Sequence, residues 1–132
     1  MGDGDVMAVF AKHSPPVRRQ LLALKSAIVE TAAETKGVGP LQEALKWGQI
    51  SYLTPETKSG TTIRIDARHD GGVAFFVNCQ TDLVRRYREL YPDAFVYVGD
   101  REVQLGASVD RAALKHCLAL ALTYHSAKRG QR

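Results

Sequence analysis

The sequence predicts an α+β fold: a mainly antiparallel five-stranded sheet with helices packed on one side, in the order α-β-β-β-α-β-β-α. Three observations carry this expectation. Thr62 to Arg68 alternate, with Ile63, Ile65 and Ala67 set against Thr62, Arg64, Asp66 and Arg68, the period-two pattern of a sheet with one buried and one wet face. The links Asp70-Gly71-Gly72 and Gly99-Asp100-Arg101 are too short for parallel crossovers. Apolar residues recur at helical spacing in segments that flank the strand patterns, which segregates helices from an antiparallel sheet.

Residues 1–12 are expected to be loosely ordered, as are residues 128–132. Ser14 before Pro15 and Pro16 is a helix-start signal, a side-chain cap followed by residues whose fixed φ suits a first turn. Val17, Leu21, Leu24, Ile28 and Ala32 then line one helix face, and the helix ends near Gly37. Leu41 to Lys46 reads as a short turn, and Gln49 to Leu53 as the first strand, closed by the turn-rich Thr54 to Gly60. Thr62 to Arg68 and Val73 to Val77 form a hairpin whose second strand is apolar on both faces and so central. Thr81 or Asp82 caps a helix bearing Leu83, Val84, Tyr87, Leu90 and Tyr91, stopped at Pro92. Val96 to Val98 and Glu102 to Leu105 make a second hairpin. Asp110 caps a last helix running to about Ser126, with an apolar face wide enough for several neighbours.

Composition bounds the function. A chain of 132 residues, with surface scaling that buries about two thirds of the unfolded area, supports a single domain over residues 1–132. The apolar runs, Cys117 to Leu122 among them, are far below the ~18 residues of a membrane span. The first ten residues lack the basic and apolar regions of a signal peptide, so a cytoplasmic location and no membrane partner are expected. Cys79 and Cys117 are then reduced thiols rather than a disulfide framework. The net charge of +4 falls to +1 without Lys128, Arg129 and Arg132, weak electrostatics that argue against a nucleic-acid partner.

The densest group of recognition residues is Glu43-Ala44-Leu45-Lys46-Trp47-Gly48-Gln49-Ile50-Ser51-Tyr52. This segment resembles the signature of the YdhG-like domain family, a bacterial domain of unknown function. The resemblance extends through Thr61 to Ile65, Phe76 to Thr81, Arg88 to Pro92 and Ala119 to His125, and so covers residues 15 to 128. It implies a compact α+β domain and no agreed substrate or cofactor. Where the family carries a proline after Lys-Trp-Gly-x, this chain has Ile50, which restores a backbone N–H and frees φ at the strand start. Some members have been likened to frataxin, which handles iron on an acidic surface. Here the first long helix sets Arg18, Arg19, Lys25 and Lys36 against Glu30 and Glu34, a net basic face that repels Fe²⁺.

Trp47 beside Lys46 and Gly48, with Tyr52 on the next strand, reads either as a stacking platform with a cationic rim or as a core cap with a solvated lysine. Gln49, Lys58, Thr61 and Arg64 are polar groups that strand order could bring to the same place. The expected function is a non-enzymatic binding module that uses Lys46, Trp47, Gln49, Tyr52 and Arg64 to hold a small molecule or a protein partner. The main alternative is an enzyme in which a desolvated Lys46 works with Glu43 and Tyr52; a frataxin-like iron protein is a third. Outside this region the catalytic signals are thin. The stripe Thr62, Arg64, Asp66 and Arg68 is an ordinary solvated sheet face or a partner surface. Cys79 before a helix has no histidine placed as its base, and His13, His69, His116 and His125 show no metal spacing. No catalytic residue, metal or cofactor is assigned, and the aromatic cluster Tyr87, Tyr91, Phe95 and Tyr97 could be covered in a homodimer.

Overall fold

The computed structural model describes residues 2–106 and 108–130. It is an α+β fold with an open, fully antiparallel sheet of six strands, one more than expected. In chain order the elements are α1 (Gly2–Ala11), α2 (Pro15–Glu34), β1 (Gln42–Lys46), β2 (Gln49–Leu53), β3 (Ile63–Ala67), β4 (Val73–Phe76), α3 (Leu83–Leu90), β5 (Val96–Val98), β6 (Glu102–Leu105), α4 (Arg111–Leu122) and α5 (Tyr124–Gly130). The strands lie in the order β1-β2-β3-β4-β6-β5, so β4 is central as its two-sided apolar sequence demands.

The extra strand is β1, the segment read as a turn. Gln42-Glu43-Ala44-Leu45-Lys46 has no β-branched residue, and it becomes a strand by pairing along its length with β2, from Gln42 opposite Leu53 to Lys46 opposite Gln49. The N-terminal segment, expected to be loosely ordered, forms α1, which lies against β1 and buries Val6 and Phe10. At the α1–α2 corner Arg18 donates from Nε to the Phe10 carbonyl and from Nη2 to those of Ala11 and His13, at 3.2, 3.1 and 2.9 Å. A guanidinium thus satisfies the orphan carbonyls at the end of α1. Ser14 occupies the N-cap of α2 without a side-chain cap bond, because Pro15 and Pro16 have already removed two N–H groups that would need one.

One apolar cluster holds the layers together. Ile50, Tyr52, Ile63, Ile65, Val73, Phe75, Val103 and Leu105 project from one sheet face and meet Leu21, Leu24 and Ile28 of α2, Leu83, Val84 and Tyr87 of α3, and Cys117, Leu118 and Leu122 of α4. Tyr87 is fully buried yet satisfied, its hydroxyl donating to the Cys117 carbonyl at 2.7 Å. The outer ridges of α2 and α4 are joined by charge: Arg111 meets Glu30 at 2.8 Å and Lys115 meets Glu34 at 2.6 Å. The Arg111 guanidinium, with the Ser26 hydroxyl, holds the Glu30 carboxyl below its ordinary range.

The last helix does not run through to Ser126. The β2–β3 loop intercepts it: the Thr61 N–H donates to the Ala121 carbonyl at 3.0 Å and the Ser59 hydroxyl to the Leu122 carbonyl at 2.8 Å. The Ser59 carbonyl in turn accepts the N–H groups of His125 and Ser126 at 2.8 and 3.0 Å. Backbone groups that a continuous helix would pair internally are paired with the loop instead, so α4 stops at Leu122 and α5 restarts at Tyr124. The C-terminal segment is therefore helical through Gly130, and residues 131 and 132 lie outside the described residues.

Buried phenols and a buried thiol give this core a direction with pH. Burial raises Tyr52 and Tyr87 well above the ordinary tyrosine value of 10.0, raises Tyr97 to about 12, and raises Cys117 from 9.0 to about 12. Each group is protonated in the folded chain over a range where the unfolded chain releases its proton. The stability they contribute is whole below pH 9 and falls as pH climbs from 9 through 12, since the unfolded state then binds fewer protons. Denaturant midpoints measured across that window should fall steadily.

Candidate functional site

The β1–β2 hairpin turns on two residues, Trp47 and Gly48, at φ of 57° and 77°. Two successive left-handed residues closing the Lys46–Gln49 pair are what a type I′ hairpin turn requires. Glycine meets this freely at the second position, but a tryptophan at the first costs roughly 1–2 kcal/mol. The Trp47 ring gains nothing from burial in return, because the residue is 94% exposed. Trp47 is therefore neither a core cap nor the floor of a platform; it projects from the end of the sheet. Trp47→Asn, which keeps a residue tolerant of that conformation, should leave the fold intact and raise stability by about 1 kcal/mol in a chemical melt.

Tyr52 points the other way. It lies on the helix-facing side of β2, 1% exposed, and its hydroxyl donates to Glu43 Oε2 on the adjacent strand at 2.6 Å. The same carboxylate oxygen meets Lys25 Nζ of α2 at 3.0 Å. Lys25 also lies 5.6 Å from the centre of the Phe10 ring. These three side chains form the polar floor of a cleft of about 410 Å³ between α2, β1 and the loop that joins them. Val29, Ala32 and Ala33 make one wall, and Gly39, Pro40 and Leu41 the other. Gly39 sits at φ 72°, where an added Cβ would meet the Thr57 methyl at 3.0 Å, so the loop's approach to the core depends on glycine. The volume falls within the range of small-molecule sites.

The remaining members of the predicted set occupy the opposite sheet face. Lys46 is exposed beside Gln49, whose amide donates to Asp66 Oδ2 at 3.1 Å. Arg64 stands between Ser51 and Phe76 in register, and its Nε is buried without a partner among the described residues. The structure thus separates the five residues into three places: Tyr52 at the cleft, Trp47 at the turn, and Lys46, Gln49 and Arg64 across the sheet. Lys58 and Thr61 belong to the β2–β3 loop, at the end of β2 remote from Trp47. The Lys46–Glu43 pairing fails for a simple reason: residues three apart in a strand face opposite ways. Glu43 and Tyr52 do come together, directly opposite each other in the β1–β2 ladder, and the lysine that joins them is Lys25.

Elsewhere the chemistry is local. Arg68 pairs with Asp70. Cys79 is exposed in a turn closed by Asn78, whose carbonyl accepts the Thr81 N–H at 3.1 Å. His116 Nδ1 shares a hydrogen bond with the Tyr91 hydroxyl at 2.6 Å. Among the described residues no three His, Cys, Asp or Glu side chains gather in a way that could hold a metal ion, and no helix is long and apolar enough to cross a membrane. Tyr52 itself is held protonated by burial and by the neighbouring Glu43 carboxylate, both of which disfavour the phenolate. It is a fixed hydrogen-bond donor rather than a base. No protein-family model, curated protein or solved structure matches the chain.

Proposed function

We propose that this chain is a non-enzymatic binding module that takes a small molecule in the cleft between α2 and β1. The observation that carries the reading is the shared Glu43 oxygen: a lysine and a tyrosine converge on it at 3.0 and 2.6 Å on the floor of an apolar cleft. A site with apolar walls and a few fixed polar groups is the usual form of a small-molecule site. The resemblance to the YdhG-like family belongs to this reading, since the segment that carries it supplies Glu43 and Tyr52. The raised Tyr52 pKa favours binding over catalysis, because a phenol that must act as base or nucleophile needs its pKa lowered. The protein, gently purified and weighed by native mass spectrometry, should carry a small-molecule mass that Leu41→Arg removes. Retention of that mass in folded Leu41→Arg protein would place the site elsewhere.

A second reading, a protein partner, is favoured by Trp47 alone. A ring held exposed at an energetic cost in the backbone suits a contact residue, since tryptophan is enriched among residues that dominate interfaces. Capture of a partner lost in Trp47→Asn but kept in Leu41→Arg would select it.

A further inference from the structure

We infer that the cleft selects a molecule with a neutral head that presents a hydrogen-bond acceptor and donor side by side, as an amide or lactam edge does, on an apolar body. This deepens the binding-module reading and rests on it. Lys25 and Glu43 carry opposite charges 3.0 Å apart, so the floor is neutral as a whole. Glu43 Oε2 is taken by Lys25 and Tyr52, while Oε1 has no hydrogen-bond partner among the described residues. The Lys25 ammonium has three N–H donors and meets Oε2 as an ion pair rather than through a hydrogen bond. A free acceptor thus lies beside free donors. An amide answers both, its N–H to Glu43 Oε1 and its carbonyl to Lys25, without disturbing the ion pair. An anionic head would meet Lys25 but face the Glu43 carboxylate, and a cationic head the reverse. A zwitterion matches in net charge but must bring two more charges out of water. Val29, Ala32, Pro40 and Leu41 provide the apolar contact for the body.

The test uses four probes that share a naphthalene body: 1-naphthylacetamide, 1-naphthylacetate, 2-(1-naphthyl)ethylamine and 3-(1-naphthyl)alanine. Each is titrated into the full chain and followed by backbone and methyl NMR shifts. The amide should bind at least ten-fold more tightly than the other three, with shifts centred on Val29, Leu41 and Tyr52. In Glu43→Gln, where Lys25 is left unopposed, the preference should turn to the acetate; in Lys25→Met it should turn to the amine. Reversal of preference reports the charge pair directly and is not mimicked by a general loss of structure. Shifts at the cleft with the acetate, the amine or the amino acid binding best in the unaltered chain would overturn the ligand class while leaving the cleft as the site. If no probe moves the cleft resonances at any attainable concentration, the class and the cleft reading fall together.

Discussion

Gly60→Ala is expected to destabilise the protein by about 3 kcal/mol, at the upper end of what an overpacked site costs. A Cβ at residue 60 would lie 2.6 Å from both Cα and the carbonyl oxygen of Leu122 and 2.7 Å from its carbonyl carbon. These are backbone atoms, so no rotamer change relieves the contact. The loop must back away, and in doing so it stretches the Thr61–Ala121 and Ser59–Leu122 hydrogen bonds on either side of Gly60. Gly106→Ala is the control: nothing lies within 4 Å of its added Cβ, and the change should fall within about 0.5 kcal/mol of zero. Urea midpoints of the two variants measure the contrast. Equal midpoints would mean that the β2–β3 loop does not clamp the end of α4.

Phe75→Ala is expected to cost about 4 kcal/mol, within the 3–5 kcal/mol typical of emptying a buried aromatic site. Phe75 is fully buried at the middle of β4, opposite Ile65 on one side and Val103 on the other. Its ring meets Tyr87 edge-on at 6.2 Å between centroids. Tyr87 is in turn tied to α4 through the Cys117 carbonyl, so the sheet, α3 and α4 meet at this one ring. Against a total stability of about 5–15 kcal/mol for a domain, the loss leaves a marginal fold. Phe75→Leu, which refills most of the volume, should cost under about 1.5 kcal/mol in the same denaturant series. Near-equal losses for the two variants would show that the ring's volume is not what the core requires.

Most of the sheet was readable because its strands obey simple alternation. The β3–β4 hairpin pairs as the pattern of Ile63, Ile65, Val73 and Phe75 requires, and Asp110 caps α4 through the Ala113 N–H as expected. β1 was hidden because Gln, Glu, Ala and Lys favour helices and turns, and its strand form is imposed by β2. α1 was hidden because Gly2 and Gly4 weaken a helix whose support is tertiary, through Val6, Phe10 and Arg18. At the site, the residue before Gly48 could have been read as a turn position, since an x-Gly pair between strand patterns signals a hairpin. Trp47 reads instead as a stacking platform or a core cap, because aromatic rings usually pack against a ligand or a core. Alternation would also have put Tyr52 and Arg64 on opposite faces once their ladder partners were known. Lys25 could not be found in this way, because it reaches Glu43 from a helix 18 positions earlier and only tertiary packing brings them together.

The clamp on α4 also bears on the order in which the chain matures during synthesis. All six strands precede α4 in the sequence, yet Cys117, Leu118, Ala121 and Leu122 of that helix are fully buried at the centre of the structure. A growing chain therefore delivers a complete set of strands while part of the apolar face that α4 will cover is still wet. At about 5–20 residues per second, that interval lasts on the order of a second or more. For that time the nascent chain leaves apolar surface wet, and the arrival of Leu122 beneath the Ser59–Thr61 loop is the event that covers it.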